Sequence, residues 1–136
     1  MHRRIIAAAI ALAALTAPVV AAAQTPSIVG AWSTRRVTAQ GTVAVVFEQF
    51  DASGNVHVRA TNPLLTMDYY GVYQLQNNGA VIQSRINDYA PKQFCTQVCS
   101  PTTPELAIGV VDTAPLRFEG PNVMYIGNDG PYTRQP

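Results

Sequence analysis

Ile28-Val29-Gly30-Ala31-Trp32-Ser33-Thr34-Arg35-Arg36-Val37 contains the only tryptophan of the 136-residue chain and has the pattern of a β-strand. Side chains of a strand alternate between its two faces, so Ile28, Gly30, Trp32 and Thr34 share one face. A glycine two positions before the largest side chain leaves room for another segment to cross, and the indole closes over that space. The stretch therefore predicts the first strand of a small β-barrel.

The residues before this strand have the pattern of a secretory signal peptide. A basic start at residues 1–4 is followed by an apolar run at residues 5–20 and by small residues that end at Ala23. The alternative is a membrane anchor, but Pro18 interrupts the helix and no basic residues follow the run. We expect cleavage after Ala23, no membrane span in the mature chain, and a secreted or periplasmic protein.

The expected domain organisation is a signal peptide at residues 1–23 and one barrel domain at residues 24–136. A domain of that length can bury a single core without heavy cross-linking. The whole chain has nine basic and eight acidic residues, so loss of Arg3 and Arg4 leaves a net charge of −1. This balance lacks the basic surface of a nucleic-acid-binding protein, and no nucleic-acid partner is expected.

Short alternating segments separated by turn residues continue along the mature chain. The segments that predict strands are 28–37, 42–50, 56–61, 66–76, 80–86, 105–111, 116–119, 122–126 and 131–134. Asn77-Asn78-Gly79 is the strongest hairpin signal, Asp112-Thr113-Ala114-Pro115 also predicts a turn, and residues 87–104 predict an irregular loop. Strand 42–50 is apolar on both faces at its start, which leaves its inward side open. The pattern predicts an all-β fold, a small antiparallel up-and-down barrel of about eight strands, because closure removes exposed edges.

Four short motifs extend this interpretation to a family resemblance. They are Gly30-x-Trp32, Phe50-x-x-x-Gly54, Tyr69-x-Gly71-x-Tyr73 and Gly130-x-Tyr132-x-Arg134. With them the chain resembles a lipocalin-like domain of the calycin type, and most of all small secreted bacterial lipocalin-like proteins. The resemblance implies that Trp32 packs against an arginine from near the last strand and closes the barrel there. Arg134, with Gly30 beside Trp32, is the first candidate for this closure, and Arg117 is the second.

Cys95 and Cys99 lie in the proline-containing loop and predict a disulfide, the usual state of such a pair in a secreted chain. A metal site would need further thiol or imidazole ligands, and a redox centre usually has two residues between its cysteines where this pair has three. We therefore expect neither a metal nor a cofactor.

The sequence supplies little for catalysis. After loss of His2, His57 is the only imidazole, and it is expected on the polar face of a strand with no nucleophile in view. Asp68 and Asp88 each precede a tyrosine and could act as acids or bind a sugar, although such residues are more often solvated at strand edges. No enzymatic activity is expected.

The remaining candidates are five aromatic residues expected in the barrel interior: Trp32, Phe47, Tyr69, Tyr73 and Tyr125. They predict either a filled core or a small pocket with hydroxyl groups, with Gly71 leaving a gap between two of the rings. We expect a binding module for a small hydrophobic or amphipathic ligand. The alternative is a protein-interaction module, such as an inhibitor of a secreted protease, that contacts its partner through the 87–104 loop. The sequence does not indicate the oligomeric state.

Overall fold

Alternating apolar side chains produce a closed β-barrel in the computed structural model, which describes residues 26–136. The strands are β1 (Gly30–Val37), β2 (Val43–Phe50), β3 (Asn55–Thr61), β4 (Thr66–Gln76), β5 (Val81–Ala90), β6 (Gln93–Cys95), β7 (Cys99–Pro101), β8 (Val111–Phe118), β9 (Val123–Ile126) and β10 (Asp129–Arg134). Eight of them form the barrel in the order β1-β2-β3-β4-β5-β8-β9-β10 and back to β1, while β6 and β7 pair separately. All neighbouring strands of the barrel are antiparallel.

This architecture confirms the predicted fold class, an all-β antiparallel up-and-down barrel, and it is compatible with a lipocalin-like fold. The barrel closes where β1 meets β10, with Trp32 opposite Arg134 and Ser33 opposite Thr133. The predicted signal peptide at residues 1–23 lies outside the described residues. Within the part of the chain that is described, no helix is long and apolar enough to cross a membrane.

The barrel interior holds the hydrophobic core. Its buried residues are Ile28, Trp32, Val46, Phe50, Val56, Val58, Met67, Tyr69, Ile82, Leu116, Met124 and Tyr132. Burial shows which face of β2 turns inward. Ala44, Val46 and Phe50 are buried, whereas Val43 and Phe47 are 50% and 43% exposed. Because side chains alternate, Glu48 then also faces inward.

Two parts of the predicted strand pattern are wrong. Residues 105–110 are not a strand, and Asp112-Thr113-Ala114-Pro115 is not a turn but part of β8. Proline is tolerated at position 115 because β9 ends at Ile126, before it reaches the position opposite Pro115. The Pro115 carbonyl accepts a hydrogen bond from Gly127 N–H, which lies in the turn after β9. The missing N–H of Pro115 therefore breaks no hydrogen bond between strands.

The 87–104 segment is more regular than predicted. Strand β5 continues to Ala90, and β6 and β7 form a small hairpin closed by the predicted disulfide between Cys95 and Cys99, which is confirmed. The predicted hairpin turn between β4 and β5 is also present. The connection is a short 3₁₀ turn over Asn77–Gly79, in which the Ala80 N–H donates to the Asn77 carbonyl. Asn77, Asn78 and Gly79 all have positive φ, of 52°, 56° and 88°, which these residue types tolerate.

Candidate functional site in the barrel interior

One end of the barrel is sealed by Trp32 and Arg134. The indole has no solvent exposure, and its Nε1–H donates to the Ile28 carbonyl at 2.8 Å. The Arg134 guanidinium lies over the ring, 4.2 Å from its centre. It also donates hydrogen bonds to three backbone carbonyls, those of Ser27, Val29 and Pro121. The guanidinium therefore ties the segment before β1 to the turn before β9.

Gly30 makes room for this arginine. A Cβ at this position would lie 2.7 Å from Arg134 Nη1, and the φ of 133° is one that other residues rarely adopt. The glycine thus leaves space for a side chain that crosses the barrel end.

Beyond this sealed end, the interior contains a cavity of about 300 Å³. Its apolar lining comes from five strands and from the segment that follows β7: Phe50, Val56, Val58, Ile82, Ile86, Leu106, Ala107, Val110, Ala114 and Ile126. Its polar lining is Arg36, Glu48, Ser84, Asp112, Asp129 and Tyr132. The space is therefore amphipathic, an apolar chamber with a small number of polar and charged groups.

Glu48 is the most enclosed of the charged groups. Its Oε1 accepts a hydrogen bond from the Tyr132 hydroxyl at 3.4 Å. Burial raises the pKa of the Glu48 carboxyl to about 7, against the smaller opposing effect of the Arg36 charge. Burial and the nearby Glu48 charge likewise raise the pKa of the Tyr132 hydroxyl, which stays protonated and can donate.

Arg36 and Asp129 stand at the rim of the cavity. The Arg36 Nη2 and Asp129 Oδ2 atoms are 3.5 Å apart, and both side chains keep substantial contact with solvent. Such a pair contributes little to the free energy of unfolding, about 0–1 kcal/mol. The pair matters for the cavity because it places one basic and one acidic group where the cavity meets solvent.

The segment between β7 and β8 lies along one side of the cavity, and two of its hydrogen bonds attach it to the barrel strands. Glu105 N–H donates to the Tyr69 hydroxyl at 3.0 Å, and Gly109 N–H donates to the Ile86 carbonyl at 2.7 Å. These bonds bring Leu106 against the cavity. The segment thus acts as part of the wall, although it belongs to no strand of the barrel.

The five aromatic candidates separate into two groups. Trp32 and Tyr69 are buried, and Tyr73 is partly buried with its ring 5.0 Å from that of Phe50. The interior placement predicted for Phe47 and Tyr125 is wrong. Both belong to the outward face of their strands, where Phe47 is 43% exposed and Tyr125 lies under the Arg117 guanidinium at 4.2 Å. Of the two candidate arginines, Arg134 is the one that lies over Trp32, because Arg117 lies over Tyr125 on the outer face.

The hydroxyl groups of Tyr69 and Tyr73, which were expected in the pocket, form hydrogen bonds with the backbone of other segments. The Tyr69 hydroxyl accepts from Glu105 N–H, as described above, and the Tyr73 hydroxyl donates to the Asp51 carbonyl at 2.5 Å. Trp32 is not among the residues that line the cavity of about 300 Å³ inside the barrel. These three side chains therefore support the walls and the closed end rather than the ligand-accessible space.

The gap expected beside Gly71 is also absent. Strand β4 shifts register between Tyr70 and Gly71, and the backbone of β5 fills the space. A Cβ on Gly71 would clash with the Arg85 carbonyl oxygen and lie 2.9 Å from Ile86 Cα. The glycine accommodates a close approach of two backbones at a bulge, not a ligand.

Sequence reasoning missed Glu48, Tyr132 and Arg36 as cavity residues. The available signal was alternation: Glu48 shares the face of Val46 and Phe50, and Tyr132 shares the face of Arg134. A glutamate on an apolar strand face is the kind of exception that marks a functional position.

A second polar cluster lies on the outer face of β3 and β4. Asp68 Oδ1 is 2.7 Å from His57 Nε2 and 2.8 Å from Arg59 Nε, and the His57 ring stacks on Tyr70. Burial alone would raise the pKa of Asp68, but hydrogen bonds from Arg59 and His57 outweigh it and lower the pKa. Among the described residues no hydroxyl or thiol hydrogen-bonds to His57, so this cluster has the composition of a surface ion-pair network.

No group of three or more potential metal-ligating side chains occurs in residues 26–136. Compared with known proteins, the chain matches no family model, no curated protein and no solved structure.

Proposed function

We propose that this chain is a secreted or periplasmic binding protein that holds one small amphipathic molecule in the barrel cavity. The observation that supports this most strongly is the contrast inside the cavity, where Glu48 and Tyr132 form a polar pair beside an apolar wall of Val56, Val58 and Ile82. Binding sites for small molecules commonly combine such an apolar lining with a small number of placed polar groups. The disulfide supports an oxidising compartment.

The cavity volume limits the size of the ligand. A volume of about 300 Å³ is at the lower end of the range for ligand pockets, and at roughly 30 Å³ for each water-sized group it admits on the order of ten such groups. Ligands with long alkyl chains or several fused rings exceed this space. We therefore expect a single short chain or ring system with one polar end.

A cavity-filling substitution tests this proposal. 1-Octanol is titrated calorimetrically into the protein and into the variant Ala114→Phe, which fills the cavity, with Thr113→Phe on the same strand as the matched control. Ala114 lines the cavity and Thr113 is exposed. We expect Ala114→Phe to abolish binding and Thr113→Phe to retain it. Equal binding to both variants, or no binding to the unmodified protein, would contradict the proposal.

A second candidate function, protein interaction through the disulfide hairpin, is favoured by one observation. Every residue from Lys92 to Pro101 is exposed, and Val98 at the tip and Phe94 are 74% and 41% exposed. Apolar side chains at the tip of a cross-linked loop suit a contact with another protein. Inhibition of a panel of secreted proteases, lost in Val98→Asp and retained in Ala114→Phe, would support this function, and the absence of any inhibition would count against it.

A further inference from the structure

The charges around the cavity are unbalanced. Of its ionisable lining residues, Arg36 is basic, whereas Glu48, Asp112 and Asp129 are acidic. Arg36 is already paired with Asp129. A carboxylate ligand would therefore meet two further carboxyl groups with no free cation to receive it, while a cation would meet a favourable field.

Glu48 sets the position at which such a cation would bind. Its Oε1 receives the long hydrogen bond from Tyr132, and its Oε2 has no hydrogen-bond partner within the described residues. No basic side chain of residues 26–136 comes within ion-pair distance of either oxygen. An enclosed carboxylate is costly unless it is paired with a cation. The Oε2 atom of Glu48 is therefore an accessible acceptor in the cavity that a donor group on a ligand can reach.

We propose that the ligand carries a protonated amine, with its ammonium group at Glu48 and its apolar part against the wall formed by Phe50, Val56 and Val58. This inference rests on the proposed function, because it names the ligand class of the same cavity. The register supports the arrangement: Glu48 lies directly opposite Val58, and Phe50 directly opposite Val56. A ligand that extends from the carboxyl group along β2 and β3 passes from the polar pair into the apolar wall.

A series of ligands with one chain length separates the contribution of the head group from that of the chain. 1-Octylamine, 1-octanol and octanoate are titrated into the protein at pH 8, where an alkylammonium is still charged. We expect 1-octylamine to bind about tenfold more tightly than 1-octanol, since a charge-assisted hydrogen bond is stronger than a neutral one. Octanoate should bind most weakly.

The variant Glu48→Gln keeps the shape of the side chain and removes its charge. It should lose the preference for 1-octylamine over 1-octanol. Glu119→Gln is the matched control, because this carboxylate pairs with Arg117 at 2.7 Å on the outer surface. The control should keep the full preference for the amine.

Affinity for the amine should also depend on pH through Glu48. The titratable groups around this carboxyl are Arg36 on β1, Tyr69 on β4, Glu105 in the segment after β7, Asp112 across the cavity on β8, and Asp129 and Tyr132 on β10. Since burial raises the pKa of Glu48 to about 7, affinity for 1-octylamine should increase from pH 5.5 to pH 8. Affinity for 1-octanol should not increase, and Glu48→Gln should abolish the pH dependence for the amine.

The outcomes distinguish this inference from the proposed function. If 1-octanol binds in the cavity but 1-octylamine binds no more tightly, or if Glu48→Gln keeps the amine preference, the inference is wrong and the proposed function stands. Tightest binding of octanoate would also overturn the inference. If none of the three ligands binds the unmodified protein, both the inference and the proposed function fail.

Discussion

The guanidinium of Arg134 lies 4.2 Å from the centre of the Trp32 ring, and the two residues are paired directly across the β1–β10 seam. One contact therefore joins the first and last strands of the barrel and seals its end. Because Trp32, the largest side chain, packs at this end, it does not occupy the space of the cavity, which Trp32 does not line. The cavity therefore lies in the part of the barrel beyond Trp32 and Arg134.

Trp32→Ala should lower the free energy of unfolding by about 3–5 kcal/mol, because it removes a fully buried aromatic side chain and leaves a void. Phe47→Ala is the control, since Phe47 is an aromatic residue on the exposed face of β2. It should cost less than about 1 kcal/mol. Urea denaturation of both variants measures the difference, and equal losses would show that Trp32 does not organise the fold.

Arg134→Lys tests the arginine separately. Lysine keeps the charge but lacks the planar fork that reaches three backbone carbonyls. We expect a loss of about 1–3 kcal/mol in unfolding free energy. A red shift of the Trp32 emission should accompany it, because water then reaches the indole. An unchanged emission and an unchanged stability would contradict the sealing role.

Gly71→Ala should destabilise the barrel more than Gly79→Ala does. The added methyl group at position 71 meets the β5 backbone, which cannot move without breaking the β4–β5 pairing. The expected loss is about 1–3 kcal/mol or more. At Gly79 nothing lies within 4 Å and the penalty comes only from the positive φ of 88°, about 1 kcal/mol. Denaturation midpoints in the reverse order would show that the bulge is not closely packed.

Glu48 should make stability depend on pH. Its pKa is raised from 4.5 to about 7 in the folded state, so the folded state holds a proton that the unfolded chain has lost between these values. Stability is then highest below pH 4.5 with respect to this group and falls as pH rises toward 7. Glu48→Gln should be more stable than the unmodified protein at pH 8 by about 1–3 kcal/mol, with the difference vanishing near pH 4. A constant difference across that range would contradict an enclosed carboxyl.

The barrel topology could be predicted from sequence because its signals are local. Alternation on β1, β3 and β4 and the turn at Asn77-Asn78-Gly79 each depend on neighbouring residues, and the structure confirms them. The first half of β8 was missed because Asp112 to Pro115 has turn composition, whereas its second half lies within the predicted strand 116–119. Only the end of β9, which lies elsewhere in the sequence, makes a proline tolerable in that strand.

The cavity could be predicted only in part, since it depends on which face of each strand turns inward. Both faces of β2 are apolar at its start, so Phe47 could not be placed outside, nor Glu48 inside, before the register was known. The hydroxyls of Tyr69 and Tyr73 have partners on distant loops. These partners are 36 and 22 residues away in the sequence, so the residues around Tyr69 and Tyr73 do not indicate them.

A crystal structure with 8-bromo-octan-1-ol tests the central claim, that the barrel interior binds a small amphipathic molecule, most directly. The bromine gives an anomalous signal at the tail of the ligand. We predict a peak inside the barrel near Phe50 and Val56, with the hydroxyl toward Glu48 and Tyr132. Peaks confined to the outer surface, with no density in the cavity at saturating ligand, would contradict the claim.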